Sequence, residues 1–151
     1  MVAGLHALER MWAPTIERAA VLSPSLLDER VGDGLSFLET LRHLVFGFDA
    51  WVRRTALGQE DPYHSFALAY PDTSGTWSPS GLVPWSAVGI DIHARPTLEE
   101  VLAGRRENSD LAFALLAEMS DDELRAVPAP SDAPGYPGPR KPRSVWDALL
   151  G

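Results

Sequence analysis

The sequence predicts an all-α fold, a helical bundle in one domain over residues 1–151. Two observations lead there. Apolar residues recur at three- and four-residue steps in four separate segments, the trace of a buried helical face. Ser or Thr followed three residues later by Glu opens three of the helical runs, a pairing that satisfies free amides of a first turn. Size agrees with both. A 151-residue chain without cysteine can bury roughly 68–70% of its unfolded surface in a single core, so neither disulfide nor metal is required for stability.

The first helix is expected over 4–22, with Leu5, Leu8, Met11, Trp12, Ile16, Ala19 and Ala20 on its buried face. Pro14 predicts either a start near Ala13 or a bend, because proline suits a first turn and disrupts an interior. Ser23 and Pro24 break the pattern, and 26–31 reads as a connection ahead of Gly32, Asp33 and Gly34.

The second helix runs from the box of Ser36 and Glu39 to a stop at Gly58. At about 100° per residue, Phe37, Leu38, Leu41, Leu44, Val45, Phe48, Trp51 and Val52 share one apolar arc. Roughly opposite lies a second stripe of His43, Phe46, Gly47 and Ala50. A helix with two such faces belongs at the centre of the bundle.

Residues 59–96 have no periodicity and far exceed the ~12–15 residues of ordinary structureless loops. They hold Tyr63, Phe66, Tyr70, Trp77 and Trp85, five of the thirteen aromatics, which is too apolar for disorder. The segment is expected to pack over the bundle as a long crossover between the second and third helices, or as a lid over a site.

The third helix opens with Thr97 and Glu100 and presents Leu98, Val101, Leu102, Leu111, Leu115 and Met119 over about six turns. A short helix follows from Ser120 and Glu123 to Pro128. Residues 128–143 contain six of the thirteen prolines and read as an extended connector. Ser144 and Asp147, with Val145, Trp146, Ala148, Leu149 and Leu150, begin a fourth bundle helix over 144–151, read as truncated. Two turns cannot stand alone and must dock on the rest.

Charge and composition exclude several functions. With 13 basic and 21 acidic residues, a net charge of −8 and a pI near 4.9, the chain repels phosphate backbones, and its one basic cluster is Arg140, Lys141 and Arg143. No nucleic-acid partner is expected. Without an apolar N-terminal run or a spanning segment, no membrane partner is expected and a cytoplasmic location follows. The lack of cysteine removes thiolate nucleophiles, Cys-ligated zinc and iron–sulfur clusters. Serines 23, 36, 120 and 144 occupy cap-like positions, and neither a nucleophile elbow nor a phosphate-binding glycine loop occurs.

Four histidines stand at 6, 43, 64 and 93, and no two are three, four or five residues apart, so there is no local zinc motif. His43 is the strongest candidate site residue, since Gly47 one turn on leaves room beside its ring and Ala50 keeps the stripe open. A solvated or hydrogen-bonded histidine is the competing reading. Glu9, Glu17, Glu99, Glu100, Asp121 and Asp122 fit helix starts or solvated faces and are assigned no chemistry.

The run Leu35-Ser36-Phe37-Leu38-Glu39-Thr40-Leu41-Arg42-His43-Leu44-Val45-Phe46, followed by Asp49-Ala50-Trp51, resembles the DinB-like family of helical bundle proteins. Trp12-Ala13-Pro14-Thr15-Ile16, Gly89-Ile90-Asp91, Arg95-Pro96-Thr97 and Ala133-Pro134-Gly135-Tyr136-Pro137 are similar to one branch of it, so the likeness covers most of the chain. The resemblance implies an up-and-down four-helix bundle that binds a divalent metal, zinc or nickel, through three histidines, one on the second helix and two on the fourth. His43 matches the first. It also implies a thiol-dependent transferase or isomerase, of the mycothiol-dependent maleylpyruvate isomerase-like type, with mycothiol or another small thiol activated by a Lewis-acid metal.

The fourth helix as read from Ser144 reaches Gly151 before any histidine, so the expectation is a family protein with an incomplete metal site and little catalysis. Two further readings stay open. In one, His43 with His64 and His93, or with residues of a neighbouring chain, rebuilds an active metal-dependent thiol transferase or isomerase. In the other, an open apolar groove receives a helix of a second copy, which makes the protein a non-catalytic homodimer.

Overall fold

A computed structural model describes residues 2–69, 84–129, 135 and 142–150. Every regular element among them is helical: α1 (Val2–Ala20), α2 (Pro24–Leu27), α3 (Phe37–Phe48), α4 (Leu98–Glu118), α5 (Asp121–Arg125) and α6 (Val145–Leu150). A π-helical stretch, Asp49–Ala56, continues α3 without a break, and a 3-10 turn spans Trp85–Val88. The all-α class agrees with the sequence; beyond the four bundle helices and the short helix expected after Ser120, the described residues hold one more, α2, because Pro24 at the first helical position starts a turn where a plain connection was expected.

The helix starts lie where the capping boxes put them. Ser36, Thr97 and Ser120 each accept a hydrogen bond from the Glu amide three residues on, while the Glu carboxylate accepts from the cap's own N–H. Ser144 Oγ accepts from the Asp147 N–H at 3.1 Å in the same way at α6. Glu39 is also gripped by Arg30, whose Nε donates to it at 2.8 Å. That bond comes first among the causes that lower the Glu39 pKa.

α3 and its continuation form the axis of the fold. On one side Leu38, Leu41 and Val45 pack with Ala19 of α1, Leu27 of α2 and Val101 of α4. On another, Phe46 and Ala50 pack with Ala67, Ala69, Trp85 and Ile90 of the crossover. At its far end Ala56 meets Leu124 of α5 and Val145 of α6. The two-faced helix is therefore central, and what was read as an open stripe is largely covered: Phe46 is 4% exposed and Ala50 fully buried.

Four positions expected on the buried faces of the first two helices are exposed: Leu8, Met11 and Ala20 of α1 and Leu44 of α3, Met11 at 74%. For α1 the reason is that it meets α4 along an edge whose contacts are partly polar. Arg105 of α4 donates to Glu9 at 2.8 and 3.1 Å and lies over the Trp12 ring at 5.3 Å, and Ser109 donates to Glu9 at 2.9 Å. Pro14 neither starts nor ends α1, which runs through it. It lies on the exposed side, where a carbonyl that loses its helical donor can take water instead.

In α4 the buried seam is Val101, Gly104, Asn108 and Ala112, spaced three and four apart. It consists of small and polar residues rather than the expected row of leucines. Among the described residues no helix is long and apolar enough to cross a membrane. Tyr70, Trp77, Arg140, Lys141 and the 133–137 motif apart from Gly135 fall outside the described residues.

Candidate functional site

His43, Phe46 and Asp49 recur at three-residue steps along α3 and into the π-helical stretch, and above them runs the crossover. His43 Nδ1 is 2.9 Å from the Leu68 carbonyl oxygen. A carbonyl only accepts, so Nδ1 carries the proton and, in the neutral ring, Nε2 is the acceptor nitrogen. The imidazole also stacks near the Phe46 ring, with centroids 6.2 Å apart. Phe46 in turn stacks on Tyr63 and meets Trp85 edge-on, each at 5.7 Å.

One helical turn further on, Asp49 is fully buried and its carboxylate is the hub of a polar cluster. It accepts from the His64 backbone N–H at 2.9 Å, from His64 Nδ1 at 2.9 Å and from Asn108 Nδ2 at 3.2 Å, and Arg53 Nε stands 3.4 Å away. Arg53 Nε donates to Asn108 Oδ1 at 2.9 Å, and its Nη2 pairs with Glu107. The far nitrogen of His64, Nε2, is 3.5 Å from Glu107. The hydrogen bond to Asp49 is the foremost cause that raises the His64 pKa; burial opposes it, and the Asp49 and Glu107 charges add to it.

Gly104 makes this cluster possible. A Cβ there would stand 2.8 Å from the Phe66 ring and 3.0 Å from the His64 ring, so only glycine lets α4 and the crossover close on each other.

Arg42, beside His43 in sequence, is buried and donates from Nε to the Phe66 carbonyl at 2.7 Å. Among the described residues its Nη2, which is buried, has no hydrogen-bond partner. Burial is the main cause that lowers the Arg42 pKa, with Arg95 repulsion second.

The histidines thus take separate partners. His43 faces Leu68 and Phe46, and His64 gives its ring to Asp49 and Glu107. His93 is exposed at a cleft of about 480 Å³ that Trp85, Ile90, Ile92 and Asp91 also line. His6 lies against Phe113 at 4.6 Å. No three His, Asp or Glu side chains among the described residues gather as ligands for a metal ion. His43 has the posture of a ligating imidazole, with its other nitrogen fixed by a backbone carbonyl. One donor does not make the closed or catalytic coordination sphere of zinc, so the described residues do not fit a resident metal as a set.

Sequence reasoning assigned no role to Asp49, Arg53, Glu107 and Asn108. Two of the four carry a signal of their own, though none for the pairing. Asp49 is a lone carboxylate inside an apolar helical run, and Asn108 falls in step with Val101, Gly104 and Ala112. A family model described as the DinB superfamily matches residues 7–150. No curated protein and no solved structure matches the chain.

Proposed function

Because the chain belongs to the DinB superfamily, matched over residues 7–150, we propose that it is related to the metal-dependent thiol transferases and isomerases and carries an incomplete form of their centre. In this reading α1, α3 with its continuation, α4 and α6 correspond to the four bundle helices, and His43 is the single prepared donor for zinc or nickel. Little metal-dependent turnover of mycothiol or another small thiol follows, in a cytoplasmic setting where such thiols stay reduced. One observation carries the proposal: His43 is oriented through Nδ1 by Leu68, yet no second and third donor gather with it among the described residues.

Calorimetric titration of the metal-stripped protein with zinc and with nickel tests it. The expected result is weak binding without defined stoichiometry, and no thiol-dependent turnover above background. Stoichiometric tight binding that disappears in His43→Ala overturns the incomplete centre and favours a working transferase.

A second reading, a homodimer, draws on exposed apolar side chains. Met11 is 74%, Leu8 46% and Leu44 45% exposed, the kind of surface that a second copy can cover. Sedimentation at micromolar concentration decides it: a dimer that Met11→Glu dissociates supports the reading, and a monomer removes it.

A further inference from the structure

Residues 64–68 of the crossover lie along α3 as a strap tied at both ends. At one end Asp49 accepts both the backbone N–H and the ring Nδ1–H of His64, each at 2.9 Å. At the other, the Leu68 N–H donates to the Arg42 carbonyl at 3.3 Å, and the Leu68 carbonyl accepts from His43 Nδ1 at 2.9 Å. Between them the Ala67 N–H closes a turn onto the His64 carbonyl at 2.9 Å, and Arg42 Nε holds the Phe66 carbonyl at 2.7 Å.

The Asp49 end is the rigid one. A carboxylate offers about four lone-pair sites, and four donors converge here: the His64 N–H, His64 Nδ1, Asn108 Nδ2 and, at longer range, Arg53 Nε. The anchor is thus bonded to α4 as well as to the strap. The Leu68 end has weaker ties, a 3.3 Å backbone bond and the His43 contact itself.

We propose that Asp49 and His64 are positioning residues for His43: by fixing the start of the strap they place the Leu68 carbonyl over His43 Nδ1, and so hold this imidazole as the Nδ1–H tautomer with Nε2 as its electron-pair donor. A histidine side chain free in water favours the opposite tautomer, with the proton on Nε2. The strap therefore selects the less common form, the one in which the nitrogen farther from the backbone can bind an electrophile or accept a proton. The value of this selection rests on the reading of His43 as a donor; the placement itself does not.

Long-range proton–nitrogen NMR of the imidazoles tests the proposal on the full chain without added metal, so a failure of metal binding leaves it intact. In its neutral form the wild-type ring is expected to give the Nδ1–H pattern. His64→Leu, which fills the space but cannot donate to Asp49, should shift His43 to the Nε2–H form or to an averaged mixture. His64→Asn, whose amide can donate to Asp49, should keep the wild-type pattern. If His64→Leu does not fold, Asp49→Leu, which keeps no acceptor, takes its place, with the same loss expected. An unchanged His43 pattern in a folded His64→Leu or Asp49→Leu protein overturns the proposal, as does equal loss in the Leu and Asn variants of His64.

Discussion

The two sides of α3 are held by different physics. Toward α1, α2 and α4 the helix buries Leu38, Leu41 and Val45 against other aliphatic side chains, a contact that depends on area and shape more than on direction. Toward the crossover it presents Phe46 and Ala50, flanked by Arg42, His43 and Asp49, whose bonds run to particular carbonyls, amides and one imidazole. The first side supplies adhesion and tolerates similar residues. The second fixes where a loop lies, and an unmatched donor there costs more than a lost methyl group.

The sharpest way to break this contrast is Asp49→Ala. It leaves His64, Asn108 and Arg53 without their shared acceptor in a buried site, so a loss of about 3–5 kcal/mol is expected by urea denaturation. Amide exchange should accelerate in residues 64–68 before it does in the α4 seam. Leu41→Ala attacks the other side, where Leu41 is fully buried. It should cost roughly 2–5 kcal/mol, with the His43 tautomer and the exchange order of the strap unchanged.

Gly104→Ala touches both sides at once, because its Cβ meets Phe66 and His64. About 1–3 kcal/mol is expected, together with a displaced His64 resonance. Ser36→Ala removes a cap that serves neither side, for about 1 kcal/mol, and should leave the His64 and His43 signals in place.

The smallest effect is in pH. The His64 pKa is raised in the fold, chiefly by its bond to Asp49, so protonation favours the folded state. That contribution is full below the ordinary histidine value of about 6.5 and fades as pH climbs through the raised one. Denaturation midpoints should therefore fall over this range above pH 6.5, and His64→Asn should flatten the slope. A slope that persists in the variant assigns it to another group.

The same contrast explains what the sequence revealed. Capping boxes are local, and Ser36, Thr97 and Ser120 each announced a helix correctly. Leu38, Leu41 and Val45 were legible as core because periodicity records which face is apolar. Leu8, Met11 and Leu44 were misjudged because periodicity does not record what lies opposite. The cluster around Asp49 was beyond any local pattern: His64 is 15 residues away and Asn108 59. The chain marks none of those pairings in advance. His43 was singled out for the space beside it, and Gly47 is indeed open, with nothing within 4 Å of a Cβ placed there. The partner that orients it, Leu68, lies 25 positions downstream and contributes only a backbone oxygen, which every residue type has.

The winding of Asp49–Ala56 has its own consequence. Hydrogen bonds there reach back five residues, as the Leu57 N–H does to Val52 at 2.9 Å, so the helix carries more residues per turn than its α3 portion. This local underwinding acts as a phase correction. It lets a single rod aim Asp49 and Arg53 at α4 while Val52 is buried and Trp51 lies beneath Arg143, whose guanidinium is 4.0 Å from the ring. Were this stretch to wind at ordinary α pitch, Arg53 would be carried away from Asn108 and α6 would lose its seat, although no side chain had been changed.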